Sequence, residues 1–277
     1  MNEEQKIQCL IDLIDDDNEQ SASLAMAELL KNPRPDLVKS RLCDLQETSN
    51  LQLRRRIHQL QTAILVRSLR TSFGQQIHDN TTPLLEGAIQ LHLLWFDNDS
   101  PDTLVSQWRD FCKKLVTEES YPHNLSDISE FMMKQGFTAM QIKESLAPEQ
   151  YCIGCAFERI PASDLLLSIV TRCVTAEIGA GLQIVRSGFN FGVLDIHGEM
   201  LFPGEDWRLV TMEERLDTNM QWEYVNNAAL LNTLATLLFQ CATATDGFRY
   251  IYTLGTVLAH SAGRSDLDFL AYPYKVK

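Results

Sequence analysis

The stretch GLQIVRSGFNFGVLDIHGEMLF, residues 181–202, decides the fold class of this chain. Its segments LQIV, FNFGVLDI and EMLF have the composition and short apolar period typical of β-strands. His197 and Gly198 fall between the second and third segments, where glycine accepts the positive φ of a tight turn. The stretch therefore predicts a small antiparallel sheet, and it raises the question of whether this hairpin carries catalytic residues.

The sequence before this sheet has helical periodicity. Up to about Leu115 the apolar residues recur in short bursts at helical spacing, which predicts five or six helices arranged as successive hairpins. Acidic or proline-containing breaks separate them, as in DDDNEQ and NPRPD. Consecutive helical hairpins are typical of a HEAT-like solenoid, and a plain helical bundle is the alternative.

Helices are also predicted on either side of the sheet. The segment SDLLLSIVTRCVTAEIGA predicts a buried helix that begins at Ser163 or Asp164 and stops near Gly179. Two further helices, joined by TDG, form a hairpin of about the size of a tetratricopeptide unit. We therefore expect an α+β fold that is mostly α, with a small antiparallel sheet and a C-terminal helical hairpin.

Composition restricts the function classes. The 277 residues carry a formal charge of −13, and a chain with this excess of acid is a poor ligand for nucleic acid. No apolar run is long enough to predict a membrane span. The seven cysteines form an odd, scattered set, which predicts reduced thiols and a cytoplasmic location.

Two local motifs raise the question of chemistry. Cys152 and Cys155 form a CxxC, but no second CxxC or histidine pair accompanies them, so we interpret them as core cysteines rather than a metal or redox site. The six histidines show no metal-binding spacing. We expect no metal and no cofactor. Met132, Met133, Met140 and Trp95 are interpreted as core residues.

The basic cluster is the second motif. Arg54, Arg55 and Arg56 are consecutive, and the cluster is completed by Arg41, Arg67 and Arg70. It could receive an acidic peptide or a phosphate. Consecutive helical residues point in different directions, however, which favours a solvated face that pairs with local carboxylates.

Several segments together resemble a bacterial branch of the transglutaminase-like superfamily, the Sir-B type. LLEGAIQLHLLWF and PDTLVSQWRDFCKKL are similar to the lead-in helices of that group, and FMMKQGF to its "feeleGF" helix end. AFERIPASDLLLSIVTRC resembles "VLERRRGIPISLSLLYLEVA", IVRSGFNFGVL resembles "VGFPGHFLVR", and MLFPGEDWRLV resembles the "DPF(D/N)GG" turn. The resemblance runs through nearly the whole chain and implies a papain-like core.

The same resemblance implies where a catalytic triad would lie. In active members, a Cys at the start of the central helix attacks an acyl group, a His on the next strand takes its proton, and an Asp orients the His. Here the Cys position falls on Ala162, Ser163 or Asp164, the His position on Asn190, and the Asp position near Phe202. None supplies the required chemistry, and the nearest substitute base, His197, is expected at the hairpin tip.

The resemblance and the periodicity together predict three segments. These are HEAT-like helices over 1–118, a degenerate transglutaminase-like core over 119–218, and a tetratricopeptide-like hairpin and tail over 219–277. Our first hypothesis is a non-enzymatic interaction or regulatory module with a protein or peptide partner and no role for nucleic acid or membrane. The alternatives are a thiol-dependent acyltransferase or peptidase that uses a displaced Cys152 or Cys155, and a purely structural helical protein.

Overall fold

The structure, a computed structural model, describes residues 3–264 except 33, 46–47, 118–123, 142–145 and 246. In these parts of the chain the helices are α1 Glu3–Ile14, α2 Glu19–Leu30, α3 Pro35–Cys43, α4 Leu51–His78, α5 Leu84–Trp95, α6 Pro101–Thr117, α7 Leu125–Lys134, α8 Ile153–Phe157, α9 Asp164–Ala176, α10 Met212–Asp217, α11 Asn227–Ala244 and α12 Phe248–Ser261. The strands are β1 Gln183–Ser187, β2 Asn190–Leu194, β3 Met200–Phe202, β4 Arg208–Val210 and β5 Glu223–Tyr224.

The predicted class is confirmed: the fold is α+β and mostly helical. Among the described residues before 118 there are six helices, in agreement with the periodicity. The three predicted strands are present, and β4 and β5 add to them. These two strands have only three and two residues, which is too short for an alternation of apolar and polar residues to be recognised.

The chain forms two compact units, residues 1–72 and 73–277. This division differs from the predicted segments, which placed the first boundary at 118 and the second at 218. The physical reason is that α5, α6, α9 and α11 share one hydrophobic core, with Leu91, Trp108, Leu166 and Leu234 all buried in it. The family resemblances assigned to the three predicted segments remain predictions.

The N-terminal unit has an aliphatic core. Helix α1 contributes Ile7, Ile11 and Ile14, which repeat at the spacing of one helical face. Helices α2 to α4 contribute the remaining buried residues, which are Ala25, Leu29, Val38, Leu42, Leu53, Ile57, Leu60 and Ile64. Asn18 caps α2, because its side chain accepts hydrogen bonds from Gln20 N and Ser21 N.

The second unit is built around an antiparallel sheet in the order β4-β3-β2-β1-β5. Ile184, Phe191, Val193 and Leu201 face the main core, against which α9 packs. The alternate residues form a smaller cluster on the opposite face, made of Val185, Leu194, Met200, Phe202 and Val210 and covered by Met220 and Trp222. The sheet is therefore covered on both faces, which explains why β2 and β3 are almost entirely apolar.

Two further expectations concern single residues and the membrane. Met132 and Trp95 are buried as predicted, but Met133 is 48% exposed, because it follows Met132 directly and points away from the core side of α7. No helix in the described ranges has the length and apolar character that a membrane span requires.

Candidate functional site at the start of helix α9

Hydrogen bonds from two preceding segments fix the start of α9. Ala162 pairs in parallel with the segment around Ala139: Ala162 N donates to Thr138 O at 3.0 Å, and Met140 N donates to Ala162 O at 2.9 Å. The amide of Ser163 donates to Gln150 O at 2.8 Å. The position at which the resemblance would place a nucleophile is therefore held rigidly.

Ser163, one of the two residues predicted to begin the helix, is the N-cap of α9. Its hydroxyl oxygen accepts a hydrogen bond from Leu166 N at 3.2 Å, and the residue is only 4% exposed. A nucleophilic serine needs a base to take its proton. His197, the substitute base considered from the sequence, lies exposed in the β2–β3 turn, where its amide donates to Asp195 Oδ1.

Asp164 joins the helix to the sheet. Its Oδ2 accepts a hydrogen bond from Phe191 N at 2.7 Å, and its Oδ1 accepts one from Leu165 N at 2.7 Å. Burial raises the pKa of the Asp164 carboxyl, while the hydrogen bonds from Phe191, Leu165 and its own amide act in the opposite direction. Both oxygens are thus committed to backbone amides, which is a structural role for a carboxylate.

Asn190 begins β2 close to this junction. Its Nδ2 donates to Glu205 Oε1 at 2.7 Å, and Glu205 Oε2 accepts from Arg208 Nη1 at 3.1 Å. Arg208 also pairs with Glu214 on α10. The position that the resemblance gives to a catalytic histidine is therefore the inner end of a polar chain that runs outward to solvent.

Phe202, the position near the expected aspartate, lies on the face of the sheet opposite to α9. Its ring covers Gly192: a Cβ on Gly192 would be 2.8 Å from Phe202 Cδ1 and 2.7 Å from Leu201 O. The structure thus brings Ser163, Asp164 and Asn190 to one junction but directs the side chain of Phe202 elsewhere. An aromatic ring over a glycine stabilises the β2–β3 pair instead of orienting a base.

Two contributors to this junction were not singled out from the sequence. Gly204 lies so close that a Cβ there would be 2.9 Å from Asp164 Cβ, and Glu205 binds Asn190. The signal was present in MLFPGEDW, where Pro and Gly mark a tight turn directly before two acidic residues. The pattern indicates the turn but not which helix it approaches.

Cys152 is the N-cap of α8 and Cys155 lies in its first turn, and both are free and buried. Burial raises the pKa of the Cys155 thiol to about 12 and that of Cys152 well above its ordinary value, with further contributions from nearby carboxylates. A reactive thiol requires the opposite shift. These features agree with the interpretation of core cysteines.

A buried histidine lies beside these thiols. His92 is 1% exposed, its Nε2 is 2.8 Å from Asp99 Oδ2, and a Cβ on Gly154 would be 2.6 Å from His92 Cε1. Burial lowers the pKa of His92, although Asp99 opposes this. His92 was one of the six histidines without a recognisable spacing, because its contact with the CxxC exists only in the folded chain.

The arginines of α4 are not a simple solvated face. Arg56 Nη1 donates to Ile14 O at 2.7 Å and to Asp16 O at 2.8 Å, and Arg54 Nη2 donates to Thr48 O at 2.6 Å. Arg67 donates to Leu30 O. These side chains bind backbone carbonyls near helix ends, where such groups lack partners within the helix.

Comparison of the chain with protein-family models, with curated proteins and with solved structures finds no match. In the part of the chain that the structure describes, no three His, Cys, Asp or Glu side chains are arranged to hold a metal ion. The transglutaminase-like resemblance therefore rests on the motifs quoted above.

Proposed function

We propose that this chain is a non-catalytic interaction or regulatory module of the cytoplasm, built on a transglutaminase-like core whose Cys, His and Asp positions are vacant. One observation carries the proposal. At the start of α9, where the resemblance would place the nucleophile, Asp164 binds the amides of Phe191 and Leu165. A carboxylate that holds the sheet to the helix occupies the place that acyl transfer needs for a reacting group.

The neighbouring groups support the same proposal. The Ser163 hydroxyl oxygen accepts the Leu166 amide, and the polar partner of Asn190 is a carboxylate. An asparagine cannot take a proton from a serine near neutral pH. The hydrogen bonds of Ser163 and Asn190 therefore stabilise the fold at this junction.

An interaction role also fits the exposed apolar side chains of the second unit. Phe189 is 97% exposed in the β1–β2 turn, and Ile196 is 83% exposed in the β2–β3 turn. The two residues lie in turns at opposite ends of β2, so each offers a separate apolar contact to a protein partner and the two do not form one continuous patch. The cytoplasmic location is proposed because all seven cysteines are unpaired.

A second candidate is a thiol-dependent acyltransferase or peptidase that uses Cys152 or Cys155. The observation in its favour is the pair of His92 and Asp99, which packs against Gly154 between the two cysteines. A histidine oriented by a carboxylate is the base that a cysteine nucleophile requires. This candidate needs the site to open, because Cys152, Cys155 and His92 are all buried.

Intact-protein mass spectrometry distinguishes the two candidates. The full chain is incubated with an activated ester, p-nitrophenyl acetate, and with iodoacetamide, and modification is followed over time. We expect no stoichiometric acylation of Ser163, Cys152 or Cys155, and slower alkylation of Cys152 and Cys155 than of the exposed Cys9 and Cys43.

The matched controls are Ser163→Ala and the double variant Cys152→Ser/Cys155→Ser. Turnover of the ester by the wild type that either control abolishes would overturn the non-catalytic proposal. Turnover that is lost in the cysteine variant and in His92→Gln would support the thiol enzyme instead.

A further inference from the structure

Helix α4 differs in charge from the rest of the chain. Residues 51–78 contain five arginines and neither aspartate nor glutamate, in a protein whose formal charge is −13. The arginines are Arg54, Arg55, Arg56, Arg67 and Arg70. A local cluster of positive charge on an acidic protein attracts anionic groups to that part of its surface.

A groove lies along the first part of this helix, within the N-terminal unit. It has a volume of ≈ 1160 Å³ between α2 and α4. From α2 it is lined by Glu19, Ser23 and Met26, which are spaced four and three residues apart. Leu51, Arg55 and His58, again spaced four and three apart, line it from α4. The three α2 residues therefore form one helix face, whereas the lining of α4 also includes neighbours of these residues, such as Gln52 and Arg54, and extends beyond one face.

The charged side chains of the groove divide into two groups. Arg54 and Arg56 are held by backbone carbonyls, as described above. The Arg55 side chain is exposed and has no carboxylate partner within the described ranges. Leu51, 75% exposed, adds an apolar contact beside it. Arg55 is thus a cation that lies beside apolar surface and forms no ion pair with the described residues of this unit.

We infer that this groove binds an acidic amphipathic helix of a partner protein. Its carboxylates pair with Arg55, and its apolar residues cover Leu51 and Met26. A groove between two helices, with lining residues at helical spacing on each, suits a third helix. The inference rests on the proposed interaction role and names the chemistry of the partner.

The composition of the groove favours a peptide over a nucleic acid. Glu19 lies in the α2 wall, where it repels a continuous line of phosphates but accepts a basic residue of a mixed-charge peptide. The overall charge of −13 also opposes a long polyanion. An acidic peptide presents fewer charges over a shorter length.

The test begins with a selection on the full chain. Random 16-residue peptides displayed on phage are selected against the wild type, after depletion on Arg55→Glu. We expect the enriched peptides to carry net negative charge and apolar residues three or four positions apart. Enrichment of basic peptides, or of none that distinguishes the two proteins, would overturn the inference.

Fluorescence anisotropy with the best enriched peptide then gives affinities. Reversal of the Arg55 charge is expected to weaken binding about tenfold, equivalent to about 1.4 kcal/mol. The matched control is Arg41→Glu, which changes the net charge equally but lies on α3 outside the groove, and it is expected to change the affinity less than about twofold. Equal weakening by both variants would show non-specific charge attraction and contradict a defined site.

A single-stranded 20-nucleotide DNA provides the competing ligand. Binding of this DNA that is tighter than that of the peptide and is lost in Arg55→Glu would replace the acidic helix with a nucleic acid. These outcomes are independent of the acylation test. Catalytic acylation of Ser163 or Cys155 would contradict the proposed non-catalytic function, whatever the groove binds. If the chain remains unmodified and no selected peptide depends on Arg55 for binding, only the inference about the groove is contradicted.

Discussion

The two compact units differ in composition as much as in fold. Residues 1–72 contain no glycine, phenylalanine, tyrosine or tryptophan, whereas residues 73–277 contain all 13 glycines, 12 phenylalanines, 7 tyrosines and 4 tryptophans. Helices that are connected by Asn, Asp and Pro residues do not require glycine, because neither the helices nor these connections need a positive φ. A sheet requires glycine where a tight turn has a positive φ or where two strands approach closely.

The two units nevertheless use charge in the same way. In the first unit, Arg56 donates to the carbonyls of Ile14 and Asp16, and in the second, Asp164 accepts from the amides of Phe191 and Leu165. In the sequence, Arg56 belongs to a cluster that could receive an anion, and Asp164 falls where the resemblance implies a nucleophile. The comparison shows that a charged side chain beside a helix end is often engaged by the backbone, so only a charge without such a partner is available for function.

The largest expected effect tests the need for glycine in the second unit. Gly192→Ala should lower the free energy of unfolding by about 3 kcal/mol, because its Cβ would meet the backbone oxygen of Leu201 at 2.7 Å. Urea unfolding followed by tryptophan fluorescence measures it, since all four tryptophans lie in residues 73–277. The matched control is Gly181→Ala, where a Cβ meets nothing within 4 Å. Equal stability of the two variants would contradict the close β2–β3 approach.

The second effect tests the arginine contacts of the first unit. Arg56→Met keeps the aliphatic stem and removes two charge-assisted hydrogen bonds to carbonyls, so we expect a loss of about 2 to 3 kcal/mol. Far-UV circular dichroism should shift more than tryptophan fluorescence, because no tryptophan lies in residues 1–72. A variant as stable as Arg41→Met would mean that water replaces Arg56 at these carbonyls without cost.

The corresponding test in the second unit uses Asp164. Replacement by Ala leaves the Phe191 amide without its acceptor and should cost about 2 kcal/mol. Asp164→Asn retains one acceptor oxygen and should cost less. Urea unfolding of both variants gives the order. An Asn variant less stable than the Ala variant would show that placing the amide NH2 against a backbone N–H costs more than the retained hydrogen bond contributes.

The pH dependence of stability gives a finer measure of the same group. Because burial raises the pKa of Asp164 above 3.8, the unfolded chain releases this proton more readily than the folded one. The wild type should therefore lose stability relative to Asp164→Asn as the pH rises from about 3.8 through the raised pKa of the folded state. Chemical denaturation of both proteins across this range measures the difference. A gain of the wild type over the same range would show that the amide hydrogen bonds outweigh burial.

Much of the fold was predictable, because periodicity and capping act locally. Ser163 was recognisable as an N-cap, and Gly198 as a turn residue with a φ of +84°. The contact of Asp164 with Phe191 joins residues 27 positions apart, and that of Arg56 with Ile14 joins residues 42 apart. No local pattern specifies such pairs, so the junction and the division of the chain were found only in three dimensions.

The smallest expected effect decides which arginine is available for binding. Arg55→Ala should change the free energy of unfolding by less than about 0.5 kcal/mol, because its side chain is exposed and has no carboxylate partner in the described ranges. Circular dichroism during urea unfolding measures this beside Arg56→Met. A loss as large as that of Arg56→Met would assign Arg55 to the fold as well. An unchanged free energy of unfolding for Arg55→Ala, combined with weaker peptide binding by Arg55→Glu, would assign different roles to two consecutive residues. Arg56 would stabilise the fold, and Arg55 would bind the peptide.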